Sequence, residues 1–336
     1  MSRVVFLMDR IMRRFGLSGK SVVPLVSGTA CAIPAIMATR NIESWKERLI
    51  TILVTPFTTC SARLPVYLII ISLVIPDKQV LYIFNYQSLT LMALYLLGFG
   101  TAIASAWLLD VILKIENRTF FVIEMPNYKV PLFKNVAYNV IEKTKSFVFG
   151  AGKIILAISI ILWVLASNGP GESFSRAEEI VQQDTAGQNL STEEVDKRIA
   201  SQKLENSYIG YMGKGIEPLV QPLGYDWKIG IAIVSSFAAR EVFVGTLATI
   251  YSVGADDEKT IKNRMAGEIN PILGGPLFNL ASGISLLLFY AFAMQCMSTL
   301  AIVKRETNTW KWPVLQLVIM SGFAYIVALA AYQLLK

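Results

Sequence analysis

The sequence predicts an all-α polytopic membrane protein. Three observations carry that reading: apolar residues gather into blocks long enough to cross a bilayer, charge is sparse, and most of the charge lies between the blocks. Of 336 residues, 54 % are hydrophobic and 16 % charged, against about 25 % charged in ordinary soluble domains. The mean hydropathy is +0.51. A bilayer core offers the backbone no water, so only helices and closed barrels cross it. Barrel strands alternate apolar and polar residues over about ten positions. These blocks do not alternate, which leaves helices.

Residues 1–21 read as an amphipathic basic interfacial arm. Val4, Leu7, Met8, Ile11, Met12 and Phe15 share one helical face, flanked by Arg3, Arg10, Arg13 and Arg14, the pattern of a helix lying on a membrane surface. Apolar blocks follow at 22–39, 49–75, 89–113, 147–167, 229–253, 281–303 and 313–335, giving about 6–7 transmembrane helices. The first is near the lower length limit for a span. It contains "GTACAIP", with Gly28, Cys31 and Pro34 at three-residue steps, where glycine and proline weaken a helix. Lysine and arginine concentrate on the cytoplasmic side of spans. The arm and the 40–48 loop are both basic, so a full crossing by 22–39 would put one of them on the wrong side. A segment that dips in and returns keeps both cytoplasmic, so 22–39 is expected to be re-entrant or broken.

The first membrane block, 22–113, carries a second break in "TPFTTCSARLP", where Pro56 and Pro65 flank Cys60. Basic 114–146 is expected along the cytoplasmic surface. The second membrane block, 147–335, includes a 168–228 connection that falls outside. Within it "STEEVDKRIASQKLENS" opens with a Ser191–Glu194 capping box, which predicts a small helical cap.

Composition also excludes function classes. Lys+Arg exceed Asp+Glu by 31 to 24, yet the excess flanks apolar spans, so the expected partner is membrane lipid and not nucleic acid. The chain contains no histidine, which rules out histidine-dependent triads and zinc-hydrolase arrangements; no enzyme is expected. "GLSGKS" at Gly16–Ser21 ends like a phosphate-binding loop, but Arg14 stands where its first glycine belongs and no strand precedes it. "GFGTAI" at Gly98–Ile103 lacks the third glycine of a dinucleotide fingerprint.

The remaining chemistry lies in the membrane. Cys31 and Cys60 sit at the two breaks, and Cys296 lies in "AMQCMSTLA" beside Gln295, Ser298 and Thr299. All three are read as thiols; the plainer alternative for each is a small packed residue. Arg240 and Glu241 lie inside "SSFAAREVFVGTL". A charge within a span costs roughly 2.5–3.5 kcal/mol on insertion scales, and adjacent helical residues point about 100° apart, so these two do not simply neutralise each other. Glu241 is a candidate cation ligand or proton acceptor, or the partner of Arg63 in an interhelical ion pair. Asp110 is expected at the interface. Cys31, Cys60, Cys296 and Glu241 thus form the candidate metal set. Thiols with a carboxylate and no imidazole suit Fe²⁺ or Zn²⁺ better than Ca²⁺ or Mg²⁺. Thiolates also take Cu(I), so ligand type leaves the metal open.

At these residues the chain resembles the ferrous iron transport protein B family (FeoB). The carriers are "GTACAIPAIMATRNIESWKERLITILVTPFTTCSARLPVY", "SSFAAREVFVGTLATIY" and "FYAFAMQCMSTLAIVKRETNTWKWPVLQ". The resemblance runs over essentially the whole chain. It implies Fe²⁺ import across a bacterial inner membrane, with Fe²⁺ as transported substrate and no permanently bound cofactor. It places iron-path thiols at Cys31, Cys60 and Cys296 and a membrane carboxylate at Glu241. It also implies two related halves of the gate, or nucleoside-recognition, type. Members of that family begin with a GTP-binding domain, which this sequence does not contain. GTP is therefore expected to act only through a missing or separate domain, and the expected partners are a GTPase-bearing N-terminal portion and a homo-oligomer. Two alternatives stand beside this reading. One is a nucleoside or small-solute permease with a pocket built from Asn270, Asn279 and Gln295; the other is a non-transporting membrane assembly fragment.

Overall fold

The computed structural model describes residues 2–76, 78–80, 84–113, 132–170, 174, 176–185, 192–238, 240, 242–250, 265, 277–294 and 296–336. In chain order the helices are α1 (Ser2–Met12), α2 (Val22–Gly28), α3 (Ala32–Ala38), α4 (Trp45–Val54), α5 (Leu64–Val74), α6 (Tyr86–Leu113), α7 (Phe133–Phe147) and α8 (Lys153–Ser167). They continue with α9 (Ala177–Thr185), α10 (Thr192–Glu205), α11 (Tyr208–Val220), α12 (Trp227–Ala238), α13 (Val242–Ile250), α14 (Leu280–Phe292), α15 (Met297–Thr307) and α16 (Lys311–Leu335). Two short antiparallel strands, β1 (Gln79–Val80) and β2 (Phe84–Asn85), join α5 to α6. The all-α membrane fold expected from the sequence is what the chain forms. Among the described residues four stretches are long and apolar enough to cross a bilayer: Trp45–Val74, Tyr86–Leu113, Leu280–Thr307 and Lys311–Leu335.

Fewer long spans appear than the apolar blocks suggested because some blocks fold back on themselves. The 22–39 block is two seven-residue helices, α2 and α3. Chain direction reverses at Thr29–Cys31, where Cys31 takes an extended backbone (φ −157°, ψ 132°). The ends of this hairpin meet again: Lys20 Nζ, just before α2, lies 2.8 Å from Glu43 Oε1, just after α3. The 229–253 block departs from the single span expected. It forms α12 and α13, and Ser235 Oγ meets Thr246 Oγ1 at 2.9 Å across the turn that holds Arg240. Arg240 therefore sits at a helix break and not on the face of a continuous helix.

The chain divides into two compact units. The first comprises Met1–Ser61, Ala93–Leu156 and Met297–Ser321, the second Ala62–Met92, Ala157–Cys296 and Gly322–Lys336. In the first, the α2–α3 hairpin packs beside α4, and α15 closes over α3. Ile33, Ile36, Ile52, Ile302 and Val303 form the buried cluster that joins α3, α4 and α15. α6 turns only Leu94, Gly98, Ala102 and Ala106 inward, a stripe of mostly small residues that lets helix backbones approach closely. Its other faces carry exposed Leu96, Trp107, Leu108 and Ile112. On α1, Asp9 accepts from Arg13 Nε at 2.6 Å and from the Gly19 amide at 2.7 Å. "GLSGKS" thus ends in a turn capped by a carboxylate, and it has a structural role.

The second unit holds the α12–α13 hairpin, α14 and α5. Gly213 of α11 lies directly against Ile231 of α12, and Ile209, Ile231 and Ile250 form a cluster there. Gly283 of α14 packs on Val74 of α5. The 168–228 connection contributes α9, α10 and α11; Ser191, half of the capping box read there, lies outside the described residues.

Candidate functional site

Proline explains the first break. α4 stops at Val54 and a 3-10 turn, Thr55–Phe57, follows with Pro56 inside it, because proline offers no N–H and crowds the preceding turn. Thr58 is then extended (φ −64°, ψ 136°), and a second 3-10 turn, Ser61–Arg63, leads into α5 with Pro65 in its first turn. Cys60 lies in this gap, 5 % exposed.

The α2–α3 tip reaches the same gap. Gly28 lies against Thr55 and Thr58, and Ser61 Oγ donates to the Ala30 carbonyl at 2.8 Å. Residues adjoining Cys31 and Cys60 are therefore in direct contact, so the fold brings two thiol-bearing breaks together. Cys31 is half-buried there. The surroundings are rich in hydroxyls: Thr51, Thr55, Thr58 and Thr59 are all fully buried. Thr55 Oγ1 donates to the Thr51 carbonyl at 2.6 Å, and Thr58 Oγ1 to the Thr55 carbonyl at 2.7 Å. Thr59 Oγ1 is buried without a hydrogen-bond partner among the described residues.

Cys296 belongs to the second unit, half-buried, in the gap between α14 and α15. Two buried arginines shape the end of α14 in that unit. Arg63 Nη1 donates to Ala291 O at 2.9 Å and Nη2 to Ala293 O at 3.4 Å. Arg240 donates to Tyr290 O at 3.1 Å, Ala293 O at 2.8 Å and Met294 O at 2.6 Å. The last carbonyls of a helix have no partner within it and carry its negative dipole end, so two guanidinium groups stabilise them in both respects. Sequence reasoning cast Arg63 as a carboxylate partner; the geometry adds this backbone-capping role. Glu241 lies outside the described residues, as do Gln295 and Asn270. Asn279 is described, and its side chain is spent on capping α14, accepting from Ser282 N at 2.8 Å. Its Oδ1 is thereby committed to the helix, whichever pocket forms. Among the described residues no group of three or more Cys, Asp or Glu side chains is arranged to hold a metal ion.

At the opposite end of the first unit, reasoning from sequence missed Glu306. It lies at the end of α15, 5 % exposed. Its carboxylate accepts from Arg40 Nε at 2.9 Å, Arg40 Nη2 at 2.6 Å and Arg48 Nη2 at 2.7 Å. Hydrogen bonding to Glu306 raises the Arg40 pKa above its ordinary value. The signal available was Glu306 following Ile302 and Val303 at helical spacing, which turns it inward. Asp110, expected at the interface, pairs with Lys46 at 2.6 Å and lies against Gly16.

The family model described as nucleoside recognition (Gate) matches residues 1–74 and 148–310. The model for the ferrous iron transport protein B C terminus matches 91–143. The chain is 43 % identical over 332 residues to an Fe(2+) transporter FeoB of Leptospira interrogans serogroup Icterohaemorrhagiae serovar Lai, covering 99 % of the chain and 45 % of that protein. It is 36 % identical over 346 residues to an Fe(2+) transport protein A/Fe(2+) transporter FeoB fusion protein of Porphyromonas gingivalis, covering 99 % of the chain and 40 % of that protein. A Staphylococcus aureus Fe(2+) transporter FeoB is 36 % identical over 336 residues, with 99 % and 43 % covered. The chain thus spans less than half the length of these curated relatives. No solved structure matches it.

Proposed function

We propose a function from one premise: the chain belongs to the nucleoside-recognition Gate family, whose model covers most of its length. On that premise it is the membrane permease part of a ferrous iron importer of a bacterial inner membrane. The observation that carries this reading is the Ser61–Ala30 hydrogen bond, which draws the Cys31 and Cys60 breaks together inside an apolar span. Fe²⁺ is the substrate. Thiolates replace part of its water shell, and binding releases the thiol protons because only the thiolate is a ligand. Buried hydroxyls and the carbonyls freed at the breaks offer the oxygen contacts that irregular backbone supplies in transporters. Cys296 and Glu241 are the further candidate ligands for Fe²⁺. A GTPase-bearing portion, of the kind the resemblance implies, couples the passage to nucleotide hydrolysis.

The test is anaerobic Fe²⁺ uptake in cells lacking other iron importers. It compares this chain alone, the chain with a GTPase-bearing N-terminal portion, and that pair carrying Cys31→Ser and Cys60→Ser. Uptake that needs the partner and drops at least tenfold in the double variant is the expected result. Uptake indifferent to the cysteines reduces them to packing residues and overturns the thiolate path.

A further inference from the structure

Two glycines face the gap that holds Cys60, and each is needed for space. Gly28 of α2 and Gly98 of α6 both lie within helices and neither has a positive φ, so backbone conformation does not demand glycine at either position. A Cβ at Gly28 would lie 2.5 Å from Thr58 Oγ1 and 3.1 Å from Thr55 Cγ2. A Cβ at Gly98 would lie 2.7 Å from Thr59 Oγ1 and 3.3 Å from the Phe57 carbonyl. Successive side chains of an extended backbone point to opposite sides. Thr58 accordingly seats on α2 and Thr59 on α6, wedging the loop between two bare helix surfaces. Cys60 is the next residue.

Chemistry sharpens the Gly98 side. Thr58 anchors its hydroxyl on Thr55 O. The Thr59 hydroxyl, fully buried and without a hydrogen-bond partner among the described residues, instead fills the space that a side chain at Gly98 would take. That approach is steric, with the Phe57 carbonyl close beside it, and among the described residues no hydrogen bond holds the oxygen. Elsewhere on α6 the constraint is absent, since a Cβ at Gly100 would meet nothing within 4 Å.

We propose that the Gly98–Thr59 contact is a steric stop that fixes the Cys60 thiol, which makes Gly98 a positioning residue for the passing cation. The proposal rests on the reading of Cys60 as a ligand for Fe²⁺. A methyl group at Gly98 pushes Thr59 off α6, moves Cys60 and loosens its cover. Removing the Thr59 side chain restores the room.

A double-mutant cycle tests this in the full-length transporter in membranes. The variants are Gly98→Ala, Thr59→Ala, the two combined, and Gly100→Ala as a control on the same helix. The first readout is the alkylation rate of Cys60 by a membrane-permeant maleimide, in a Cys31→Ser, Cys296→Ser background; the second is Fe²⁺ uptake in the parent background. Gly98→Ala is expected to raise Cys60 alkylation roughly tenfold, the scale of coupling between touching residues, and to lower uptake correspondingly. The combined variant is expected to return toward Thr59→Ala in both readouts, and Gly100→Ala to match the parent. If Gly98→Ala yields no folded protein, its recovery by Thr59→Ala supports the stop and its failure to recover overturns it. Gly98→Ala behaving as Gly100→Ala, or single effects that simply multiply, would also overturn it. Should uptake itself prove independent of the cysteines, the functional reading falls while the alkylation cycle still decides whether the stop exists.

Discussion

Glu306 is the residue on which three segments of the first unit converge. Its carboxylate is nearly inaccessible, whereas Arg40 and Arg48 keep side-chain exposures of 46 % and 23 %. Removing the carboxylate leaves two cations facing one another without their acceptor, while removing one arginine leaves Glu306 still paired. Loss of one partner from a buried ionic group costs about 3–5 kcal/mol; partial exposure of both arginines puts Glu306→Gln at the lower end. Thermal unfolding of the detergent-extracted protein is therefore expected to show a clear drop for Glu306→Gln and a smaller one for Arg40→Gln. The contrast with the cysteines shows what a sequence reveals at this scale. The breaks at Cys31 and Cys60 were legible because glycine and proline mark them locally. Glu306 was not, since its partners lie 258 and 266 positions away, and no local pattern records such a distance. Arg63 illustrates the same limit, because backbone carbonyls are acceptors at every position and leave no trace in the sequence.

Among elements, the two hairpins were unequally legible. The α2–α3 reversal follows from Gly28, Pro34 and the basic residues on both flanks. The α12–α13 turn has no glycine or proline at its tip, and the Arg240–Glu241 pair, read as charge within a span, alone interrupts the apolar run. One further feature of that turn is Arg240, which donates to the end of α14. Lysine at that position keeps the charge but loses the planar fork that reaches three carbonyls. Hydrogen bonds involving a charged group contribute about 1.5–3 kcal/mol each. Arg240→Lys should accordingly lower the unfolding temperature and speed alkylation of Cys296, whose loop those carbonyls begin. A different dependence applies to α9 and α10, joined by Lys203 Nζ and Glu178 Oε1 at 2.6 Å. The hydrogen bond from Lys203 lowers the Glu178 pKa. Its contribution is therefore present above the ordinary carboxylate range and is lost as pH falls through the depressed value. The protection factors of the α9 amides, exchange corrected for its intrinsic pH dependence, are expected to fall in acid and to stay unchanged from neutral to mildly alkaline pH, with Glu178→Gln removing the acid response.

At the scale of the whole molecule, three kinds of part recur in both units, beside other helices. The first contains a helical hairpin (α2–α3), the leading half of one broken helix (α4) and the trailing half of the other (α15). The second contains a hairpin (α12–α13), α14 as a leading half and α5 as a trailing half. Each broken helix gives its halves to different units, and both handovers fall within a residue of a cysteine, at Ser61 and at Cys296. The division of each broken helix between the two units was not legible, since hydropathy reports where a helix lies and not what it packs on. A chain cut between Gln188 and Asn189, in a polar stretch where backbone breaks are best tolerated, tests it. The 1–188 piece lacks Ile302, Val303 and Glu306, so its hairpin cluster stays open. Each piece alone is expected to be degraded, and the two co-expressed are expected to purify together with a single cooperative melt.

The shared halves also impose a schedule on biosynthesis. Arg40 and Arg48 leave the ribosome some 260 residues ahead of Glu306, an interval of about 13–50 s at ordinary elongation rates. Throughout it the nascent hairpin stands in the bilayer with its ionic partner unmade and its apolar flank bare. The insertion machinery, or the lipid itself, must shelter that flank until α15 arrives, which makes the hairpin the stage at which quality-control proteases would first inspect this protein.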